Sequence, residues 1–208
     1  MSFETDDNTY YRMVKTTLEM LKDRGYRVDE ELMNSEFDDF ILTYGSPIDL
    51  SKLNKDLIYE NEANEKIMVF YELKSKITKE LILEISRQIQ NNSLKRFILV
   101  VHKSLHSASS MKRINQFNAK KDSLIEVFTH QQLLFNITRH ILVPKHVPLT
   151  PEQKAEVLAT YKITEDKIPV MFVTDPVAKY FGVKAGTVME ITRNPETSGR
   201  YVTYRLVQ

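Results

Sequence analysis

The chain has 208 residues, 42% of them hydrophobic and 27% charged, with a formal net charge of +1 and no cysteine. Such a length supports one large core or two small ones, and near-neutral charge gives no global pull toward nucleic acid or membrane. The absence of cysteine excludes disulfides, thiolate metal sites and cysteine nucleophiles, and fits a reducing compartment.

No run approaches the roughly 20 apolar residues of a membrane helix. The N-terminus Met1-Ser2-Phe3-Glu4 lacks the basic and apolar regions of a signal peptide, so neither membrane insertion nor secretion is expected. Prolines are unevenly spread: only Pro47 precedes Pro144, Pro148, Pro151, Pro169, Pro176 and Pro195. That shift predicts a domain boundary near residues 136–145. The expected organisation is an N-terminal domain over 1–136, a linker over 137–142 and a C-terminal domain over 143–208. Charge divides slightly at the same place, about +3 after residue 136 and about −2 before it.

In chain order, residues 10–23 read as an amphipathic helix, with Tyr10, Val14, Leu18 and Leu21 at three- and four-residue spacing. Lys22, Arg24 and Gly25 supply its stop. Ser35 is expected to cap a second helix over 36–44, with Asp38 completing a capping box. Residues 67–73 form a strand candidate, and 57–60 can pair with it across the polar turn at 61–65. Thr78 caps a long helix through Gln90 with Leu81, Ile82, Ile85 and Ile89 on one face. The apolar run 97–101 predicts a strand covered on both sides. A short helix over 107–117, a strand over 124–128 and a short helix capped by Thr129 follow. This alternation predicts a mostly parallel sheet with crossover helices, the two leading helices packing on it.

Several residues offer chemistry. Glu72-Leu73-Lys74 at a strand end has the Glu-x-Lys pattern of metal-dependent endonucleases, where a carboxylate holds Mg²⁺ and lysine positions water. Such a site needs a second carboxylate, for which Glu60 or Glu62 is the candidate. The same tripeptide is also common decoration of a solvated strand end. His102 and His106 are four apart, but they follow a strand and lack a third ligand close in sequence. Gly182 and Gly186 read as a helix C-cap and a turn, with no phosphate-loop pattern around them. Lys112, Arg113, Lys120 and Lys121 form a modest basic cluster with Lys95 and Arg96 as possible neighbours, able to meet a few phosphates or simply to face water.

In the C-terminal third, Thr150-Pro151 starts a helix over 152–161 that sends Ala155, Leu158 and Ala159 toward a core. A turn at 165–169, a strand over 170–173, a helix 176–181 capped by Asp175 and ended by Gly182, and a hairpin of strands 187–193 and 200–207 complete it. Arg200, Tyr201, Tyr204 and Arg205 give the last strand the aromatic and cationic make-up enriched at protein interfaces.

Asn136-Ile137-Thr138, His140, Leu142-Val143-Pro144-Lys145-His146, Asp175-Pro176-Val177-Ala178, Tyr180, Gly182, Glu196-Thr197-Ser198-Gly199-Arg200-Tyr201 and Tyr204-Arg205 together carry a resemblance. The chain is similar to the fifth subunit shared by the eukaryotic nuclear DNA-directed RNA polymerases, whose C-terminal domain corresponds to a small archaeal polymerase subunit lacking the N-terminal domain. Before residue 136 the likeness rests on Lys22-Asp23-Arg24-Gly25-Tyr26, on the order of elements and on a loose echo at 107–112. A chain of this length resembles the eukaryotic form or a copy carried by a large DNA virus.

The resemblance implies an α/β fold: a restriction-endonuclease-like jaw domain without an active site, then a small α+β assembly domain. It implies a non-catalytic subunit acting in the nucleus (for a viral copy, in the virion or a cytoplasmic virus factory), without cofactor or small-molecule substrate. The C-terminal domain would dock on the largest polymerase subunit, for which Arg200, Tyr201 and Arg205 are the chosen residues. The N-terminal domain would lie beside downstream duplex DNA, with Lys112, Arg113, Lys120 and Lys121 nearest the phosphates. The alternatives are a nuclease using Glu72 and Lys74, and a stand-alone DNA-binding protein.

Overall fold

The structure, a computed structural model, describes residues 6–55, 57–105, 107–119, 122–193, 199 and 201–208. It divides into two compact units, Met1–Phe135 and Asn136–Gln208.

Unit 1 begins with helix α1 (Asp7–Asp23), whose Asp6 side chain accepts from the Thr9 amide. Its apolar stripe is buried at Tyr10, Met13, Val14, Leu18 and Leu21, as its spacing predicts. Gly25 takes φ +84°, a left-handed turn that costs glycine nothing. Strand β1 (Tyr26–Arg27) follows, then helices α2 (Glu30–Asn34), α3 (Phe37–Tyr44) and α4 (Leu50–Leu53). The sheet continues with β2 (Ile58–Asn61) and β3 (Lys66–Glu72), then helix α5 (Lys79–Asn91), β4 (Leu94–Val101), helix α6 (Ala108–Asn118) and β5 (Leu124–Thr129). Strand order is β1-β2-β3-β4-β5. The pairs β1–β2 and β2–β3 are antiparallel; β3–β4 and β4–β5 are parallel. Parallel neighbours need a crossover, and α5 and α6 provide it.

Alternation along the strands sorts two faces. Met68, Phe97, Leu99, Val101, Ile125 and Val127 pack with Ile85 and Ile89 of α5 and Ile114 of α6. Ile67, Val69, Tyr71, Ile98, Val100 and Phe128 are buried on the other face, where the Tyr71 hydroxyl donates to Thr17 Oγ1 of α1 at 3.0 Å. The continuous burial of β4 from Phe97 to Val101 follows from helices on both sides.

One capping expectation is overturned. Ser35 does not cap α3: its hydroxyl donates to the Leu32 carbonyl at 2.8 Å and closes α2 instead. Glu36 occupies the N-cap position of α3 without a side-chain bond, so there is no capping box. Asp38 and Asp39 sit in the first turn, where the helix dipole favours carboxylates.

Unit 2 opens with a single 3-10 turn, Ile137–Arg139, capped by Asn136. Strand β6 (Lys145–Pro148), helix α7 (Pro151–Tyr161), β7 (Val170–Met171), helix α8 (Pro176–Phe181), β8 (Val188–Arg193) and β9 (Tyr201–Val207) follow. The sheet order is β6-β8-β9-β7, with β7 parallel to β9 and the other pairs antiparallel. Pro at the first position and a Thr150 cap start α7; Asp175 accepts from the Val177 and Ala178 amides to start α8. Ile168, Val188 and Leu206 form a core that Leu149, Leu158 and Tyr204 flank. Ala155 and Ala159 are exposed, contrary to expectation. Only Leu158 of that trio reaches the core, because α7 turns its Val157 and Leu158 edge toward the sheet.

Candidate functional site

Strand alternation decides which of the chosen C-terminal residues can act together. Tyr201, Thr203, Arg205 and Val207 share one face of β9, and Val202, Tyr204 and Leu206 the other. Tyr201 and Arg205 therefore stand on one side, both exposed. Tyr204 turns to the opposite side and meets Tyr161 of α7 edge to face at 5.8 Å. Arg205 Nη1 donates to the Val170 carbonyl of β7 at 3.2 Å. That bond uses one of five guanidinium donors. Arg200 lies outside the described residues.

Sequence reasoning missed exposed side chains at the sheet edge near Arg205. It read 170–173 as a short strand. The strand covers only Val170 and Met171, and Val170, Phe172 and Val173 are exposed, Phe172 to 69%. The Val173 amide donates to the Gln208 carbonyl at 2.8 Å. The sheet edge beside Arg205 thus carries apolar side chains into solvent, with Val170 on the opposite sheet face from Arg205 because it pairs with Leu206, and Tyr201 at the far end of β9. The sequence signal was the run Val170-Met171-Phe172-Val173 itself, which is too apolar for a free edge.

In unit 1, Lys112 and Arg113 are exposed on α6; Lys120 and Lys121 lie outside the described residues. Arg96 does not join that cluster. Its Nη1 donates to Glu126 Oε1 at 3.2 Å. Glu126 also takes a two-pronged bond from Arg24, at 3.1 and 2.9 Å. Their side chains are 3% exposed for Arg24, 21% for Arg96 and 10% for Glu126, so this is an internal ion cluster.

Glu72 and Lys74 do not assemble a nuclease site with the carboxylates expected. Glu72 Oε1 accepts from the Lys74 and Ser75 amides at 3.1 and 3.0 Å, so it shapes the turn after β3. Glu60 pairs with Lys66 at the other end of that strand, roughly 20 Å away along six residues. Glu62 lies beyond Glu60 in the turn after β2. Among the described residues, no group of three His, Asp or Glu could hold a metal.

His106 lies outside the described residues. The neighbour of His102 in space is His130, whose ring stacks on it at 4.4 Å with planes 10° apart. The Lys103 amide donates to His130 Nδ1 at 3.2 Å, which requires that nitrogen to be unprotonated. Burial, then the charge of His102, holds His130 below the usual histidine value, with Lys103 adding in the same sense. A histidine lowered on folding binds its proton more readily in the unfolded chain. Its contribution is therefore complete above about pH 7 and falls as pH drops through the ordinary histidine range. Urea midpoints are expected to fall from pH 7.5 to 5.5, and His130→Gln to reduce that fall. An unchanged fall would rule His130 out as its source.

These features define a class before they define a family: two α/β units that, among the described residues, hold no candidate metal cluster and do not bring the expected nuclease carboxylates together. Comparison with known proteins supplies the family. A model described as RNA polymerase Rpb5, C-terminal domain, matches residues 135–207, and one described as RNA polymerase Rpb5, N-terminal domain, matches 4–89. The chain is 36% identical over 209 residues to the DNA-directed RNA polymerases I, II, and III subunit RPABC1 of Caenorhabditis briggsae, covering 98% of each chain. It is 32% identical to the corresponding subunit of Dictyostelium discoideum, covering 97% of this chain and 98% of that one. It is also 32% identical to the DNA-directed RNA polymerase subunit 5-like protein 1 of Arabidopsis thaliana, covering 94% and 93%. The chain belongs to the Rpb5 family. The resemblance carried by its C-terminal residues pointed to the same family.

Proposed function

We propose that unit 2 docks this protein on the largest subunit of an RNA polymerase, while unit 1 forms part of the jaw beside downstream duplex DNA. As a member of the Rpb5 family, the chain is a non-catalytic subunit of a multi-subunit DNA-directed RNA polymerase. Its partners are other polymerase subunits, and its place of action is the nucleus. In this reading residues 1–136 are the jaw domain, 137–142 the linker and 143–208 the assembly domain.

One observation carries the docking surface. Tyr201 and Arg205 share an exposed strand face, and the edge that carries the exposed Val170, Phe172 and Val173 meets β9 at Arg205, whose guanidinium donates to the Val170 carbonyl. Aromatic, arginine and apolar groups concentrated on so small a unit have the make-up of a binding hot spot. Exposed apolar surface of this kind is costly unless a partner covers it. Arg200 belongs to the same proposed surface by sequence.

Co-purification of the tagged chain with the largest subunit tests this. Phe172→Asp combined with Arg205→Glu is expected to weaken association by about 30-fold or more, the effect of losing one hot spot. Recovery at the unsubstituted level would sink the surface. Recovery of no polymerase subunit with the unsubstituted chain would sink the polymerase reading itself.

For unit 1, Lys112 and Arg113 are the proposed phosphate neighbours, with Lys120 and Lys121 beside them in sequence. With a net charge of +1, the free chain is expected to bind duplex DNA weakly. Lys112→Glu with Arg113→Glu is expected to reduce the salt slope of DNA binding by the assembled polymerase by about two. An unchanged slope would remove these residues from the DNA path.

A further inference from the structure

The sheet of unit 2 has a second exposed feature on its other side. Glu156, Thr160 and Tyr161 project from one face of α7, Glu190 and Tyr204 rise from β8 and β9, and Leu149 adds an apolar wall. They line an open cleft of about 310 Å³. The Tyr161 and Tyr204 rings meet at 62°, and Glu190 is the cross-strand partner of Tyr204. Burial, helped by the neighbouring Glu190 carboxylate, holds the Tyr204 hydroxyl above its ordinary value, so it remains a neutral phenol.

The cleft has two carboxylates and no cation of its own. Among the described residues neither Glu156 nor Glu190 takes part in an ion pair. Lys154, the lysine on the same helix, is turned away: its Nζ bonds Glu165 Oε1 at 2.8 Å and the Gly186 carbonyl at 2.9 Å. Lys145 is exposed on β6, two residues from Val147, the strand partner of Glu190, and pairs with neither carboxylate. Gln153, at the helix start, spends its side-chain oxygen on the Thr150 amide.

We propose that this cleft receives an arginine side chain presented by a partner polypeptide. A guanidinium is planar and weakly hydrated, so it stacks on tyrosine faces and directs forked donors at carboxylates. Lysine would meet the charge and a ring face only as a compact, strongly hydrated point charge, without planar stacking or a fork of donors. A free small molecule would need far more enclosure, since such sites bury roughly 70–90% of their ligand, and here Tyr161 leaves one wall 56% exposed. A side chain tethered to a docked partner needs no such enclosure. This site lies on the opposite sheet face from Tyr201 and Arg205 and does not rest on the polymerase assignment.

The test is NMR of the full chain with labelled tyrosine. N-acetyl-arginine methylamide is expected to shift the Tyr161 and Tyr204 ring signals saturably, with the neutral isostere N-acetyl-citrulline methylamide weaker by about fivefold. Glu156→Gln with Glu190→Gln should lower the arginine response by a similar factor, the other tyrosine signals reporting an intact fold. Tyr161→Leu, at an exposed position, should lower it independently. Equal responses to the two probes, or an arginine response indifferent to these substitutions, would overturn the proposal. So would tetramethylammonium binding as tightly as the arginine probe, which would mark a small-cation site.

Discussion

Glu126→Ala is expected to destabilise unit 1 by about 3–5 kcal/mol, the cost of removing one member of a buried ion cluster. The loss comes from what remains rather than from the value of the pairs. Glu126 receives both prongs of Arg24 and one bond from Arg96. Without it, the 3% exposed Arg24 side chain keeps its charge and loses that carboxylate. A guanidinium does not neutralise itself by deprotonation, so it must remain charged in place or drag the surrounding chain toward water. Glu126→Gln keeps one acceptor and should fall between the parent and the alanine variant. Added salt should change the difference little, because screening acts on exposed charges. Urea unfolding followed by circular dichroism measures it. A loss below about 1 kcal/mol would mean that the cluster contributes no more than a surface pair.

The same cluster marks a limit of sequence reading. Leu124-Ile125-Glu126-Val127-Phe128 reads as a strand, and it is one. Its central glutamate looks like the solvated position of an alternating pattern. Its two partners stand 102 and 30 residues away, and no local pattern encodes where α1 ends relative to β5. His102 shows the same limit: its spacing from His106 carried no site, and nothing local signals that its stacking partner is His130, 28 residues on.

What was legible was local. The α1 stripe, the buried run of β4, the Thr78, Thr150 and Asp175 caps and the Gly182 helix stop all depend on residues within a few positions of one another. Short elements escaped for the converse reason. Strand β1 has two residues and α4 four, too few for a period to appear. The surface proposed for docking was half legible. Tyr201 and Arg205 were chosen by residue type, but Phe172 was assigned to a strand. Its exposure depends on β7 ending at Met171, which only the pairing with β9 reveals.

Tyr71 supports the second large prediction, because three substitutions around it separate three physical effects. Its ring is buried on the α1 face of β3, its hydroxyl donates to Thr17 Oγ1 at 3.0 Å, and Thr17 donates onward to the Met13 carbonyl at 2.7 Å. Burial holds that phenol far above its ordinary pKa, so it stays a neutral donor wherever the protein folds. Tyr71→Ala removes the ring and leaves a cavity between α1 and the sheet, costing about 3–5 kcal/mol. Tyr71→Phe keeps the packing. Thr17 retains its bond to Met13, so the loss should be only about 1 kcal/mol. Asn54→Ala acts on the backbone instead. The Asn54 side chain accepts from the Tyr71 amide at 2.9 Å and donates to the Tyr71 carbonyl at 3.1 Å, tying the residue after α4 to β3. Its removal leaves two strand groups without that partner and should cost about 2–3 kcal/mol, between the other two. Calorimetry of the three variants tests the order of damage, with Tyr71→Ala first, Asn54→Ala second and Tyr71→Phe last. If the phenylalanine variant were as damaging as the alanine one at the same position, the hydroxyl chain to Met13, and not the packing of the ring, would be what joins α1 to the sheet.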